Sequence, residues 1–237
     1  MYGGDEVIKK VGDGRSKFFT SIFAWMFGGV LITALTSYGL VATGLATLFL
    51  INPILVWVFF IAEFILVFYI SRMLGSENIS SSRAKIAFVV YSIVNGITLS
   101  SIFYAYGIGL IYKAFVGSAL MFGAMALLGH YTKIDLSKFG SILIMGLIGV
   151  LIMTFANFIF SFFGMYSGQL DVILGYVTLF IFLGLTAWDI QKLKYMYEYG
   201  AQNEELVQTM AVYGALSLYL DFINLFLSLL RISGSRD

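Results

Sequence analysis

The chain has 237 residues, of which 60% are hydrophobic and 11% charged, with a mean hydropathy of +0.93. Soluble domains carry roughly 25% charged residues, so one soluble core cannot hide this much apolar surface. A net charge of +1 leaves no basic face to neutralise phosphates and gives no reason to expect a nucleic-acid partner, and the absence of cysteine excludes disulfides, thiolate metal sites and a cysteine nucleophile.

A bilayer core about 30 Å thick needs roughly 20 apolar residues in helical form, because each backbone N–H and C=O must find its partner within the segment. Seven stretches predict such helices: Phe18 to Val41, Pro53 to Ile70, Ile86 to Tyr106, Ile111 to Leu128, Phe139 to Phe163, Val172 to Leu193 and Met210 to Leu230. The reading is therefore an all-α integral membrane protein with seven transmembrane helices. It divides into an N-terminal tail (1–17), a membrane domain (18–232) and a C-terminal tail (233–237). The first stretch follows Lys9, Lys10, Arg15 and Lys17 and runs beyond the roughly 7 to 15 residues of a signal-peptide core, so it reads as a retained helix. Asn52 before Pro53, the only proline, matches an N-cap followed by the first helical position.

Loop charges set the orientation, since Lys and Arg are retained on the cytoplasmic side. Four basic residues lie in the N-terminal tail, with Arg72, Arg83 and Lys85, then Lys133 and Lys138, then Lys192 and Lys194, in alternate connections. The opposite connections hold only Lys113. The N-terminus is expected in the cytoplasm. A fully spanning seventh helix then puts Arg231 and Arg236 outside, and a re-entrant last segment is the alternative.

Ionisable groups at bilayer depth cost about 2.5 to 3.5 kcal/mol each on insertion scales, which makes them functional candidates. Glu63, Asp189 and Asp221 qualify. The two aspartates lie in the sixth and seventh segments. Helical rise lets them meet if the last helix starts near Gly214, whereas a start at Met210 requires a tilt or a break. Two carboxylates in contact cannot both ionise cheaply and share one proton, which would make a proton-operated switch. They would also offer a weak oxygen site for calcium. Asn224, three residues after Asp221, could add an amide oxygen from the same helical face. Glu63 could pair with Arg231 if that arginine folds back.

The stretch Ala215 to Arg231, Ala-Leu-Ser-Leu-Tyr-Leu-Asp-Phe-Ile-Asn-Leu-Phe-Leu-Ser-Leu-Leu-Arg, closely resembles the terminal signature of the Bax inhibitor family, its bacterial members in particular. Trp188-Asp189-Ile190-Gln191-Lys192 is similar to the end of that family's sixth helix, and Asn95-Gly96-Ile97-Thr98-Leu99 to an element of its third. The resemblance implies six helices bundled around a hydrophobic C-terminal helix in a bacterial plasma membrane. It implies a calcium leak modulated by pH through the Asp189 and Asp221 pair, with calcium as transported ion, no tightly bound cofactor and no enzymatic activity. It further implies a basic latch on the sixth-helix aspartate, for which Arg72 is the nearest match, and an ion pathway to which Glu63, Asn224 and Arg231 are candidates.

Two other readings compete. Intramembrane aspartyl proteases also carry aspartates on their sixth and seventh helices, activating a water between them, but Leu218, Tyr219 and Leu220 stand where a Gly-x-Gly-Asp motif is expected. A membrane scaffold would act on partner proteins and pass no ion.

Overall fold

The computed structural model describes residues 3–75, 79–165, 167–200 and 203–234. Side chains are described from residue 14 onward, those of 49, 50, 53, 56, 199 and 200 excepted. Lys9 and Lys10 therefore fall, as side chains, outside the described residues, as does Arg236 altogether. Among the described residues the regular structure is helical. The helices are α1 (Gly3–Ala42), α2 (Thr47–Ile51), α3 (Pro53–Met73), α4 (Ser81–Leu99), α5 (Ile102–Ala105), α6 (Ile108–Tyr131), α7 (Ser137–Phe162), α8 (Gly168–Gly200) and α9 (Glu204–Gly234).

Among the described residues six stretches are long and apolar enough to cross a membrane: Gly14–Ala42, Ser81–Ala105, Ile108–Tyr131, Ser137–Phe162, Gly168–Glu198 and Glu204–Gly234. Their burial differs widely. In α7 11% of the most apolar window is buried, as befits a helix facing lipid, whereas in α9 it is 67%. Helix α9 is also a single unbroken element of 31 residues, about 46 Å long at 1.5 Å per residue. It does not double back as a re-entrant hairpin.

The boundaries depart from the sequence reading in an instructive way. The expected N-terminal tail is helical from Gly3 onward and continuous with the first span, because extending an existing helix costs far less than starting one. Helix α8 runs seven residues past Leu193, and α9 starts six residues before Met210. Those extensions are rich in Lys, Glu, Gln and Met, good helix formers that an apolar window does not register. The third segment divides after Leu99. There Ser100 Oγ donates to the Ile97 carbonyl at 2.7 Å and Ser101 Oγ to that of Thr98 at 3.0 Å, diverting the backbone from regular helix. Pro53 opens α3 as expected, although the Asn52 side chain caps nothing. At the end of α7, Gly164 takes φ +72 and Met165 N–H reaches back to the Phe160 carbonyl, a Schellman closure that needs glycine.

Two compact units result, to both of which α8 and α9 contribute. The first comprises Met1–Ala105 and Leu193–Tyr219, the second Tyr106–Lys192 and Leu220–Asp237. In the first, α4 packs on α1 and α3. Its centre is Tyr219, fully buried, with the rings of Phe88 and Tyr91 edge-on at 5.9 and 5.5 Å. Gly96 lets α4 approach α1 so closely that a Cβ would lie 2.7 Å from the Thr33 carbonyl oxygen. Lipid tails give helices no hydrophobic reason to associate, so close backbone approach at small residues supplies the contact. In the second unit, Gly129 of α6 meets the backbone of Ala187, and Phe115 and Phe122 of α6 pack edge-on against Phe222 of α9 at 5.4 and 6.0 Å.

Candidate functional site

Within the second unit α8 and α9 run antiparallel in a register that two contacts define. Thr186 faces Asp221 through a side-chain hydrogen bond, and Gly175 faces Ile232. Each contact is eleven residues from the other on both helices. Asp221 therefore stands level with Thr186. Asp189 follows three residues on, one turn toward the end of α8 and on the same face. The aspartates are close enough for their charges to interact. Neither a late start nor a break in α9 is required, because both helices simply continue past the ends that hydropathy assigns them.

Asp189 is 8% exposed, Asp221 3% and Thr186 not at all. Thr186 Oγ1 also lies 2.7 Å from the Phe182 carbonyl, to which it donates. Its single hydrogen is spent on that carbonyl. The other Asp221 oxygen, Oδ2, is buried without a hydrogen-bond partner. An orphaned carboxylate oxygen in a dry site is costly.

The surroundings of Asp189 are rigid. Trp188 lies under α7, where a Cβ on Gly140 would come 2.6 Å from the indole, and Lys192 Nζ sits 5.1 Å above the same ring. Gln191 clamps the connection between α6 and α7. Its Oε1 accepts from Leu136 N–H at 2.8 Å, and its Nε2 donates to the Ile134 carbonyl at 2.8 Å. Gln191→Leu leaves both backbone groups without these partners. It is expected to cost about 0.5 to 1.5 kcal/mol per bond and to speed hydrogen exchange at Leu136 N–H, while exchange in the middle of α6 stays unchanged.

The other sequence candidates fall elsewhere. Arg72 is exposed in the last turn of α3 and, among the described residues, forms no ion pair. Arg231 Nε lies 3.4 Å from Asp171 Oδ1, in the first turn of α8, with both side chains 26% exposed. Asn224 spends its amide nitrogen on its own helix, donating to the Leu220 carbonyl at 2.8 Å. Glu63 belongs to the first unit, where the side chains of Asn95 and Thr98 bond its carboxyl. Among the described residues no group of three acidic, histidine or cysteine side chains converges for a metal ion. Two carboxylates fall well short of the six to eight oxygens calcium takes, so a passing ion would complete its shell from water.

Sequence reasoning did not single out Thr186, Gln191, Gly129 or Asp171. Thr186 was accessible in principle, being one helical turn before Asp189. Asp171 lies within the first turn of α8, where a carboxylate suits the helix dipole, and so attracts no notice by itself.

Comparison with known proteins agrees with the fold. A family model described as "Inhibitor of apoptosis-promoting Bax1" matches residues 15–237. The chain is 39% identical over 225 residues to the inner membrane protein YbhL of Escherichia coli, covering 94% of this chain and 93% of YbhL. It is 38% identical over 223 residues to an uncharacterised protein of Borreliella burgdorferi, with 94% and 93% covered. It is 37% identical over 237 residues to the uncharacterised membrane protein M6_Spy0327 of Streptococcus pyogenes, with 98% and 99% covered. Apolar helices sufficient for several crossings, and a match that runs through nearly all of them, make this chain a multi-pass membrane protein of the Bax inhibitor family.

Proposed function

We propose that the protein is a pH-sensitive calcium leak channel whose gate is the Asp189 and Asp221 pair. The observation that carries this reading is Asp221 itself: a carboxyl 3% exposed, with one oxygen unpartnered and a second acid beside it. While the pair holds a proton, the two groups tolerate each other. Once that proton leaves, two like charges share a dry site, and separating them relieves the repulsion. The closed state thus binds more protons than the open one, and raising the pH opens the pathway.

In this reading α3, 21 residues long with Glu63 as its one carboxylate, is a seventh span. The positive loops hold the N-terminus in the cytoplasm. Calcium and protons are the ligands, and no cofactor is bound tightly. The bulky Leu218 and Tyr219 ahead of Asp221, both fully buried, speak against a protease and for a protein that is not an enzyme.

The test is calcium flux into liposomes holding purified protein. Wild type is expected to pass calcium with a rate that rises between about pH 6 and 8, the range open to a carboxyl pair in a desolvated site. Asp221→Asn and Asp189→Asn each leave a single acid and are expected to pass little calcium at any pH in that range. A pH-independent wild-type leak would exclude the switch, and the absence of flux at every pH would point to a scaffold.

A further inference from the structure

A second buried polar cluster lies in the first unit, built from Glu63 of α3, Asn95 and Ser92 of α4, Thr33 of α1 and Tyr219 of α9. Apart from Glu63 these residues are at most 6% exposed. Three short contacts link them. Thr33 Oγ1 lies 2.9 Å from the Ser92 carbonyl, 2.6 Å separates Thr33 Oγ1 from the Tyr219 hydroxyl, and the Tyr219 hydroxyl lies 2.8 Å from the amide oxygen of Asn95. The carboxyl of Glu63 is bonded by the other end of the same amide and by Thr98. Its Oε1 is buried and unpartnered, as is Ser37 Oγ, one helical turn from Thr33 on the same face.

Counting hydrogens makes the cluster informative. Three contacts join two hydroxyl groups, a carbonyl and an amide, yet the two hydroxyls hold one hydrogen each. With the amide oxygen toward Tyr219, one of the three contacts lacks a hydrogen. Turning the amide by half a rotation supplies it: Asn95 donates to Tyr219, Tyr219 to Thr33, and Thr33 to the Ser92 carbonyl. The two orientations of an amide occupy the same heavy-atom positions. The amide oxygen then faces Glu63, where oxygen against carboxylate oxygen is repulsive unless a proton lies between them.

We infer that Glu63 is a proton-binding site separate from the aspartate pair, and that the Asn95 amide relays its protonation to α1 and α9 by turning over. With a proton on Glu63 all three hydrogen bonds form and α1, α4 and α9 are tied together. Without it, Asn95 turns its NH2 to the carboxylate, and the Thr33 and Tyr219 oxygens are left sharing too few hydrogens at 2.6 Å. The ionisable groups that face Glu63 are the phenols of Tyr91 on α4 and Tyr219 on α9; neither supplies a positive charge. The relay requires no ion to be transported, so it stands or falls independently of the channel reading.

Infrared spectroscopy of the full chain in lipid, with the glutamate side-chain carboxyls labelled with carbon-13, separates Glu63 from every aspartate without mutation. Ordinary glutamates, with a pKa near about 4.3, are ionised at pH 7, so a labelled carboxylic-acid band that persists there reports a buried acid. The expected result is such a band in wild type, lost in Glu63→Gln, retained in Asp221→Asn, and shifted in frequency in Tyr219→Phe, which removes the relay's hydroxyl while keeping its ring. Absence of the labelled acid band from wild type at pH 7, or its survival in Glu63→Gln, overturns the site. A band unmoved by Tyr219→Phe overturns the relay.

Discussion

Tyr219→Ala is expected to lower the stability of the protein by about 3 to 5 kcal/mol, the range for truncating a large buried aromatic side chain. Tyr219 is fully buried, and its ring meets those of Phe88 and Tyr91 edge-on. Truncation therefore removes three packed surfaces at once and leaves a cavity that rigid helices cannot readily close. The hydroxyl adds less. Hydrogen bonds between membrane helices average about 0.6 kcal/mol and reach about 1.7, because the alternative packings in lipid also find partners. Tyr219→Phe, which keeps the ring, is expected to cost no more than that. Unfolding in mixed micelles of increasing denaturing detergent measures both. Equal losses in the two variants would show that the hydroxyl network, and not ring packing, holds the first unit together.

The sequence placed six of its seven spans where the described residues hold helices long and apolar enough to cross, because a bilayer leaves little choice: a run of some 20 apolar residues has to be helical. It also identified Asp189 and Asp221, since a charge is conspicuous in such a run. What it missed lies where hydropathy is silent. The ends of α8 and α9 are polar and helical, and that difference decides whether the depths of the two aspartates match. The partner of Arg231 was missed for a related reason. Asp171 stands in the first turn of its helix, and only the antiparallel register of α8 against α9 brings it to an arginine 60 residues later. Glu63 was noticed as a charge, but not as one end of a hydrogen-bond chain, because Thr33, Asn95 and Tyr219 come from three different helices.

Both clusters follow one design. In each, an acid on one helix faces a neutral polar side chain on another: Thr186 for Asp221, Asn95 for Glu63. In each, that neutral group already has a second partner, the Phe182 carbonyl or the Tyr219 hydroxyl. Where hydrogens are fewer than contacts, a proton on the acid completes the set. Proton binding is thus linked to helix contact, and the strength of that linkage depends on how firmly the helices are held at the acid.

That firmness is greatest at Gly129, and Gly129→Val is expected to be the most damaging small substitution in the second unit. A Cβ at this position would fall on the carbonyl oxygen of Ala187 and lie 2.8 Å from its Cα. The obstacle is backbone, which no rotamer change can move aside, so α6 and α8 must separate two residues from Asp189. Overpacking a core costs about 1 to 3 kcal/mol and occasionally more; contact with backbone places Gly129→Val at the upper end of that range. Under the proposed function it is also expected to weaken the pH response of calcium flux, by moving Asp189 relative to Asp221. Gly123→Ala, on the same helix but with open space around it, is the control. It meets nothing and removes some freedom from the unfolded chain, so it should leave stability unchanged or raise it by up to about 1 kcal/mol. Detergent unfolding of the two variants distinguishes the causes: equal losses would mean that α6 resists any added methyl, whereas a loss confined to Gly129→Val assigns the cost to the crossing at Ala187.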